Sequence, residues 1–197
     1  MNQLVFKFPF KVKYFKQDFY VSSNNFSAYK LIESWPNWPG KWLNVFGMSG
    51  SGKTHLSKIL EKKINKIKLV EAKYLNNKII EELNKIDCLI IDNYQNNIDE
   101  NLFYSILNQS KQLDNYLVVN SIPSIKDFNF ILSDLESRIK SFIYIGIELP
   151  TDDLLQVIIA KTFSEKQITL NPKISEYIIK NVERSYDKMF KFLKDID

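Results

Sequence analysis

The sequence predicts an α/β fold in which five strands form a parallel sheet interleaved with helices, followed by a small helical unit. Three observations carry this prediction. Apolar runs of strand length alternate with segments of helical period as far as Ile147. The glycine-rich octet Gly47-Met48-Ser49-Gly50-Ser51-Gly52-Lys53-Thr54 joins the first of those strands to a helix. From Asp152 to the end the period is helical alone.

Taken in order, Gln3-Leu4-Val5-Phe6-Lys7-Phe8 places Leu4, Phe6 and Phe8 on one side of an extended segment. Such a face needs a partner, either the chain's own core or a groove on another protein. Asp18 to Phe26 leads into a helix through Ala28, Leu31 and Ile32, which Trp35-Pro36-Asn37-Trp38-Pro39-Gly40 ends because proline moves the preceding residue away from α geometry. The tryptophans there are expected to pack on the sheet edge rather than stack on a ligand.

Trp42-Leu43-Asn44-Val45-Phe46 is the first strand, and Leu56, Ile59, Leu60 and Ile64 mark the helix after the octet. Glycine admits positive φ, and the helix start adds the positive end of its dipole, so the octet suits a polyphosphate. Lys53 is then a point charge on the terminal phosphates, and the Thr54 hydroxyl a ligand for Mg2+. Three of the five glycines of the chain fall in this loop, which concentrates backbone freedom where a phosphate cradle needs it.

Ile67-Lys68-Leu69-Val70 is the second strand and Tyr74 to Leu83 the next helix. Cys88-Leu89-Ile90-Ile91-Asp92 is a buried strand that ends on a carboxylate, placed to hold a magnesium ion through water. Asn93 follows it. A neutral amide orients an attacking water less well than a carboxylate, so slow hydrolysis by the isolated chain is expected.

Leu102, Phe103, Ile106 and Leu107 mark another helix, and Tyr116-Leu117-Val118-Val119 a strand that ends in Asn120-Ser121, with Ser121 expected between the loop and Asp92. Ser133-Asp134-Leu135-Glu136 has the spacing of a capping box and opens a short helix holding Ser137-Arg138-Ile139. Phe142 to Ile147 is the fifth strand. Beyond Pro150 come three helices, one with Asn171-Pro172 as cap and first position and the last over Tyr186 to Leu193. The expected division is a tail at 1–12, a nucleotide-binding core at 13–150 and a helical lid at 151–197.

Composition narrows the function. The 27 basic and 23 acidic residues leave a net charge of +4, a mild balance that does not argue for nucleic acid. One cysteine, Cys88, makes no internal disulfide, and a single histidine, His55, removes most histidine-based metal sites and triads. No run of about 18 apolar residues is present, so no membrane span is expected and a cytoplasmic location is.

The order of phosphate loop, Leu-Ile-Ile-Asp-Asn strand, Val-Val-Asn-Ser strand, Leu-Glu-Ser-Arg-Ile helix and helical lid resembles the AAA+ module of the DnaA-related family of bacterial replication proteins. The likeness covers essentially the whole chain. Asp92-Asn93 and Trp35-Pro36-Asn37-Trp38-Pro39 resemble the short Hda-type regulators within it, and Gln3-Leu4-Val5-Phe6 resembles their peptide for the DNA polymerase sliding clamp. What the resemblance implies is specific. ADP or ATP would bind with Mg2+ against Gly47, Met48, Ser49, Gly50, Ser51, Gly52, Lys53, Thr54, His55, Val21 and Asp92, with Thr54 and Asp92 on the metal. Arg138 would be an arginine finger, acting with Ser121 and Asn93 as the catalytic set. Gln3, Leu4 and Phe6 would enter the clamp's beta subunit.

The implied function is regulation of replication initiation by promoting hydrolysis of DnaA-bound ATP. DnaA and the clamp would be partners, self-association is possible, and no sequence-specific DNA binding is expected because no helix-turn-helix follows the lid. A helicase-loader type of ATPase, a small-molecule kinase and a non-enzymatic clamp and DnaA adaptor are the alternatives. In the lid, Asp187 stands where the family places an arginine, with Arg184 and Lys188 nearby.

Overall fold

In a computed structural model of the chain, which describes residues 19–96 and 98–195, five parallel strands lie between two layers of helices. The elements are α1 (Phe26–Glu33), β1 (Trp42–Gly47), α2 (Lys53–Glu61), β2 (Ile67–Glu71), α3 (Lys78–Glu82), β3 (Cys88–Tyr94), α4 (Glu100–Gln112), β4 (Tyr116–Ser121), α5 (Ser133–Ile139), β5 (Ile143–Ile147), α6 (Asp152–Glu165), α7 (Pro172–Asn181) and α8 (Tyr186–Asp195). The strand order is β2-β3-β4-β1-β5, every pairing parallel. Because β4 separates β1 from β3, its carboxyl end lies between the loop after β1 and the acid on β3.

Strand alternation sorts the core into two layers. Leu43, Val45, Cys88, Ile90 and Val118 pack with Ala28 and Ile32 of α1 and with Leu56, Ile59 and Leu60 of α2. Trp42, Leu89, Ile91, Leu117 and Val119 pack on the other face with Ile79 of α3, Phe103, Ile106 and Leu107 of α4, and Leu135 and Ile139 of α5. Burial of each large side chain stabilises by about 1.5–3 kcal/mol, and this holds short helices such as α5 in place. Trp35, Trp38 and Tyr116 form an edge-to-face cluster with centroids 4.1 to 5.8 Å apart, and Trp38 Nε1 donates to the Leu31 carbonyl. The tryptophans therefore pack on the sheet, as expected, but at the amino-terminal end of the internal strand β4 rather than on an edge strand.

Asn44 is a buried polar group on β1 with every capacity used. Its Nδ2 donates to the Val119 carbonyl and to Ser121 Oγ at 2.8 and 2.9 Å, and its Oδ1 accepts from Ser124 Oγ and the Ile125 N–H, both at 3.1 Å. A fully satisfied buried amide specifies one register, and here it holds the exit of β4 against β1.

Two local expectations are corrected. The helix expected over Tyr74 to Leu83 is broken: Ala72–Tyr74 and Leu83–Lys85 are 3₁₀ turns and only Lys78–Glu82 is α. Asn76 is the cause, because its side chain accepts from the Lys78 N–H and donates to the Tyr74 carbonyl, a local alternative to helical bonding. The capping box at Ser133 does not form. Leu132 occupies the N-cap, and the N–H groups of Ile131 and Leu132 donate to the Glu100 carboxylate at 2.8–3.1 Å. With the preceding N–H groups held by Glu100, the helix begins one residue earlier and the Glu136 N–H bonds the Leu132 carbonyl instead of the Ser133 hydroxyl.

Thr151 caps α6 and Asn171 caps α7, with Pro172 at its first position. Helices α6, α7 and α8 have their own apolar cluster of Leu155, Ile159, Ile178, Met189 and Leu193. Among the described residues no helix is long and apolar enough to cross a membrane.

Candidate nucleotide site

The octet forms the turn between β1 and α2. Gly50 and Gly52 have φ of 74° and 96°, and a Cβ on Gly52 would lie 2.9 Å from the Phe19 ring, so glycine is required there for conformation and for space. The first N–H groups of α2 have no acceptor within the helix, which leaves donors and a positive dipole end at the loop. The buried Ser51 Oγ is likewise without a hydrogen-bond partner.

Lys53 is folded onto the loop, its Nζ donating to the Gly47 and Met48 carbonyls at 2.6 and 2.9 Å. It is 6% exposed, and burial pulls its pKa from the ordinary 10.5 to about 8, against the opposing pull of Asp92 and Asp187. The sign of the consequence is set by that depression. Phosphate oxygens favour the charged amine, so binding should take up a proton above pH 8, and affinity should fall by up to about tenfold per pH unit as the free amine loses its charge. Titration calorimetry at pH 8.5 in two buffers of different ionisation enthalpy measures that uptake; equal apparent enthalpies would contradict it.

Thr54 Oγ1 donates to Asp92 Oδ2 at 2.7 Å, while Asp92 Oδ1 accepts from Asn120 Nδ2 at 2.8 Å and from the Asn93 N–H at 3.1 Å. Asn120 also donates to Ser57 of α2, and its Oδ1 is buried with no partner. Ser121 was expected in this place and points the other way, accepting from Asn44. Alternation is the reason: Asn120 lies on the α2 face with Val118, Ser121 on the α4 face with Val119. Counting parity from the buried valines would have found Asn120.

Asn93 has φ of 55°, a conformation asparagine tolerates, and forms a bulge. The bulge returns Tyr94 to the α4 layer and leaves Asn93 exposed beside Asp92.

Around the loop, Phe19 stacks on Tyr29 and meets the half-buried His55 edge-on with centroids 5.3 Å apart. Val21 packs on the same layer. Asn24 Nδ2 donates to the Glu148 carbonyl at 3.3 Å and to the Tyr186 hydroxyl at 2.5 Å, which draws the residues before α1, the exit of β5 and the first turn of α8 together. Met48 and Ser49 are exposed at the loop's tip. Neither Asn24 nor Tyr186 carries a sequence motif for this contact.

Arg138 makes no hydrogen bond to any of these groups. It is half-buried on α5, its Nε donating to Asn108 Oδ1 of α4 at 2.8 Å, and among the described residues no carboxylate pairs with it. Gln3, Leu4 and Phe6 lie outside the described residues.

A divalent ion fits the residues present. Thr54 Oγ1 and Asp92 are adjacent hard oxygen donors at the loop, and the described residues contain no cluster of three metal-ligating side chains. That suits an ion completed by phosphate oxygens and water, the preference of magnesium.

A five-stranded parallel sheet with a phosphate loop after β1, a carboxylate on β3 and an amide on the intervening strand defines a P-loop α/β protein of the AAA+ fold. Solved structures of the bacterial initiator DnaA share that fold. The AMPPCP-bound DnaA of Aquifex aeolicus aligns with a TM-score of 0.76 at 20% identity over 94% of this chain and 65% of its own. Domain III of Thermotoga maritima DnaA gives 0.72 at 18% identity over 92% and 86%. The Thermotoga maritima RuvB branch-migration motor gives 0.59 at 21% identity over 78% and 53%. This chain thus spans just under two thirds of the Aquifex DnaA chain. No protein-family model matches the sequence, and no curated protein matches it.

Proposed function

We propose that this protein regulates replication initiation in the manner of the Hda-type proteins, binding an adenine nucleotide and promoting hydrolysis of ATP held by DnaA. The observation that carries the reading is Arg138: a guanidinium held by Asn108 through Nε, without a carboxylate partner among the described residues and without contact to its own loop. Such a group is suited to a neighbour's phosphates rather than to its own. The likeness in fold to DnaA supports the choice of neighbour.

In this reading the chain's nucleotide is a structural ligand. Lys53 leaves the Gly47 and Met48 carbonyls for the terminal phosphates, the α2 amides hold the phosphate oxygens, and Phe19 and Val21 border the base. A magnesium ion held by Thr54 and Asp92 would neutralise phosphate charge. Asn93 and Asn120 are both neutral beside Asp92, so neither takes a proton from water and turnover in the chain's own site is slow. Gln3, Leu4 and Phe6 would tether the complex to the DNA-loaded clamp.

Reconstitution tests this. Purified chain added to ATP-bound DnaA with clamp on DNA should accelerate hydrolysis, and the double variant Gln3→Ala, Leu4→Ala should lose most of that acceleration while still binding nucleotide. No acceleration by the natural chain would rule out the regulatory role. Acceleration that survives without Arg138 would instead indicate the adaptor reading.

A further inference from the structure

The first turn of α8 places a carboxylate against the phosphate loop. A Cβ built on Gly50 would lie 2.8 Å from Tyr186 Cβ, 3.1 Å from Asp187 Oδ1 and 3.5 Å from the Asp187 nitrogen, so the loop and this turn are in direct contact. The contact is held from both sides. Tyr186 is 3% exposed and tied to Asn24 through its hydroxyl, and Met189 and Leu193 anchor the rest of α8 in the cluster with α6 and α7.

Nearby cations are engaged elsewhere. Arg184 pairs with Asp152 at 2.5 Å and Lys188 with Glu183 at 3.7 Å, which leaves Lys53 as the positive group whose charge Asp187 favours. Around the loop, then, one ammonium faces two carboxylates, Asp92 from β3 and Asp187 from α8. Asp92 accepts from Thr54, Asn93 and Asn120 and keeps acceptor capacity to share a cation. Asp187 has no such role and simply adds negative charge where phosphate oxygens must approach.

We propose that Asp187 is a specificity determinant of this site, selecting against each added unit of phosphate charge and so against longer or metal-free polyphosphates. This rests on the reading of the loop as a nucleotide site. The physical basis is Coulomb repulsion of phosphate oxygens by an exposed carboxylate whose place on the loop is set by the buried Tyr186 next to it. An arginine in that position would do the reverse.

The test compares the natural chain with Asp187→Asn in titrations of fluorescent ADP and ATP analogues, each with and without Mg2+. The expected result is that Asp187→Asn gains about tenfold in affinity for the triphosphate with Mg2+ and more without it, but only about threefold for the diphosphate with Mg2+. Each gain should shrink at high salt. Asp187→Ser, which also keeps a first-turn polar group, should behave alike. A ratio of triphosphate to diphosphate affinity unchanged in both variants would overturn the role of Asp187 and leave the nucleotide site standing. Failure of the natural chain to bind any of the four ligand forms would overturn the site reading itself.

Discussion

Arg138→Ala is expected to abolish the stimulation of DnaA-bound ATP hydrolysis, a loss on the order of a thousandfold where a finger sets the rate. The rate left is the partner's own. The size follows from what a guanidinium offers a transferring phosphoryl group: a rigid fork of donors with permanent charge, brought into a site from which water is excluded. Asn108 holds Nε and so pre-orients the guanidinium. Arg138→Lys should not rescue, because a point charge on a flexible stem cannot make two parallel bonds and cannot bond Asn108 in the same geometry. The variant's own nucleotide affinity should be unchanged, since Arg138 makes no hydrogen bond to the loop residues or to Asp92. Single-turnover hydrolysis of labelled ATP on DnaA reads the first effect, and equilibrium titration of the variant reads the second. Stimulation equal to that of the natural chain would remove Arg138 from the mechanism.

Lys53→Ala is expected to weaken adenine nucleotide binding by about a hundredfold or more. Two charge-assisted bonds to phosphate at about 1.5–3 kcal/mol each account for that range after the cost of withdrawing the amine from the Gly47 and Met48 carbonyls. The unliganded variant should remain folded. Burial holds the Lys53 pKa near 8 in the native chain against 10.5 when unfolded, so at neutral pH the charged amine is a liability to the fold of about 3 kcal/mol. That liability is full below pH 8 and fades between pH 8 and 10.5. Thermal melts separate binding from folding: saturating nucleotide should raise the Tm of the natural chain and leave that of Lys53→Ala unmoved. A shift of equal size in both would show that the ligand is not held by this lysine.

The residues that the sequence reading placed well are those whose role depends on near neighbours. Gly50 and Gly52 need positive φ within one turn, and Asn171-Pro172 caps the helix it begins. Cys88 to Ile91 is apolar on both faces because a central parallel strand is covered on both sides. The misplacements share a different cause. Leu132 rather than Ser133 became the N-cap, its N–H held by Glu100 from 32 positions earlier, and Asn76 broke a helix that hydrophobic spacing alone had joined. Ser121 and Asn120 were adjacent choices that only the facing of β4 separated.

What the amino-acid order determined by itself was the set of elements and the chemistry of the loop, because periodicity, glycine freedom and capping act over a few residues. Packing alone decided which distant groups meet. Asn24 and Tyr186, 162 positions apart, close the site's edge, Asn108 aims Arg138 across 30, and Asp187 comes to rest on Gly50. Those contacts follow from the strand order and from where the last helix docks, both of which minimise exposed apolar surface over the whole chain and leave no trace in any short stretch of it.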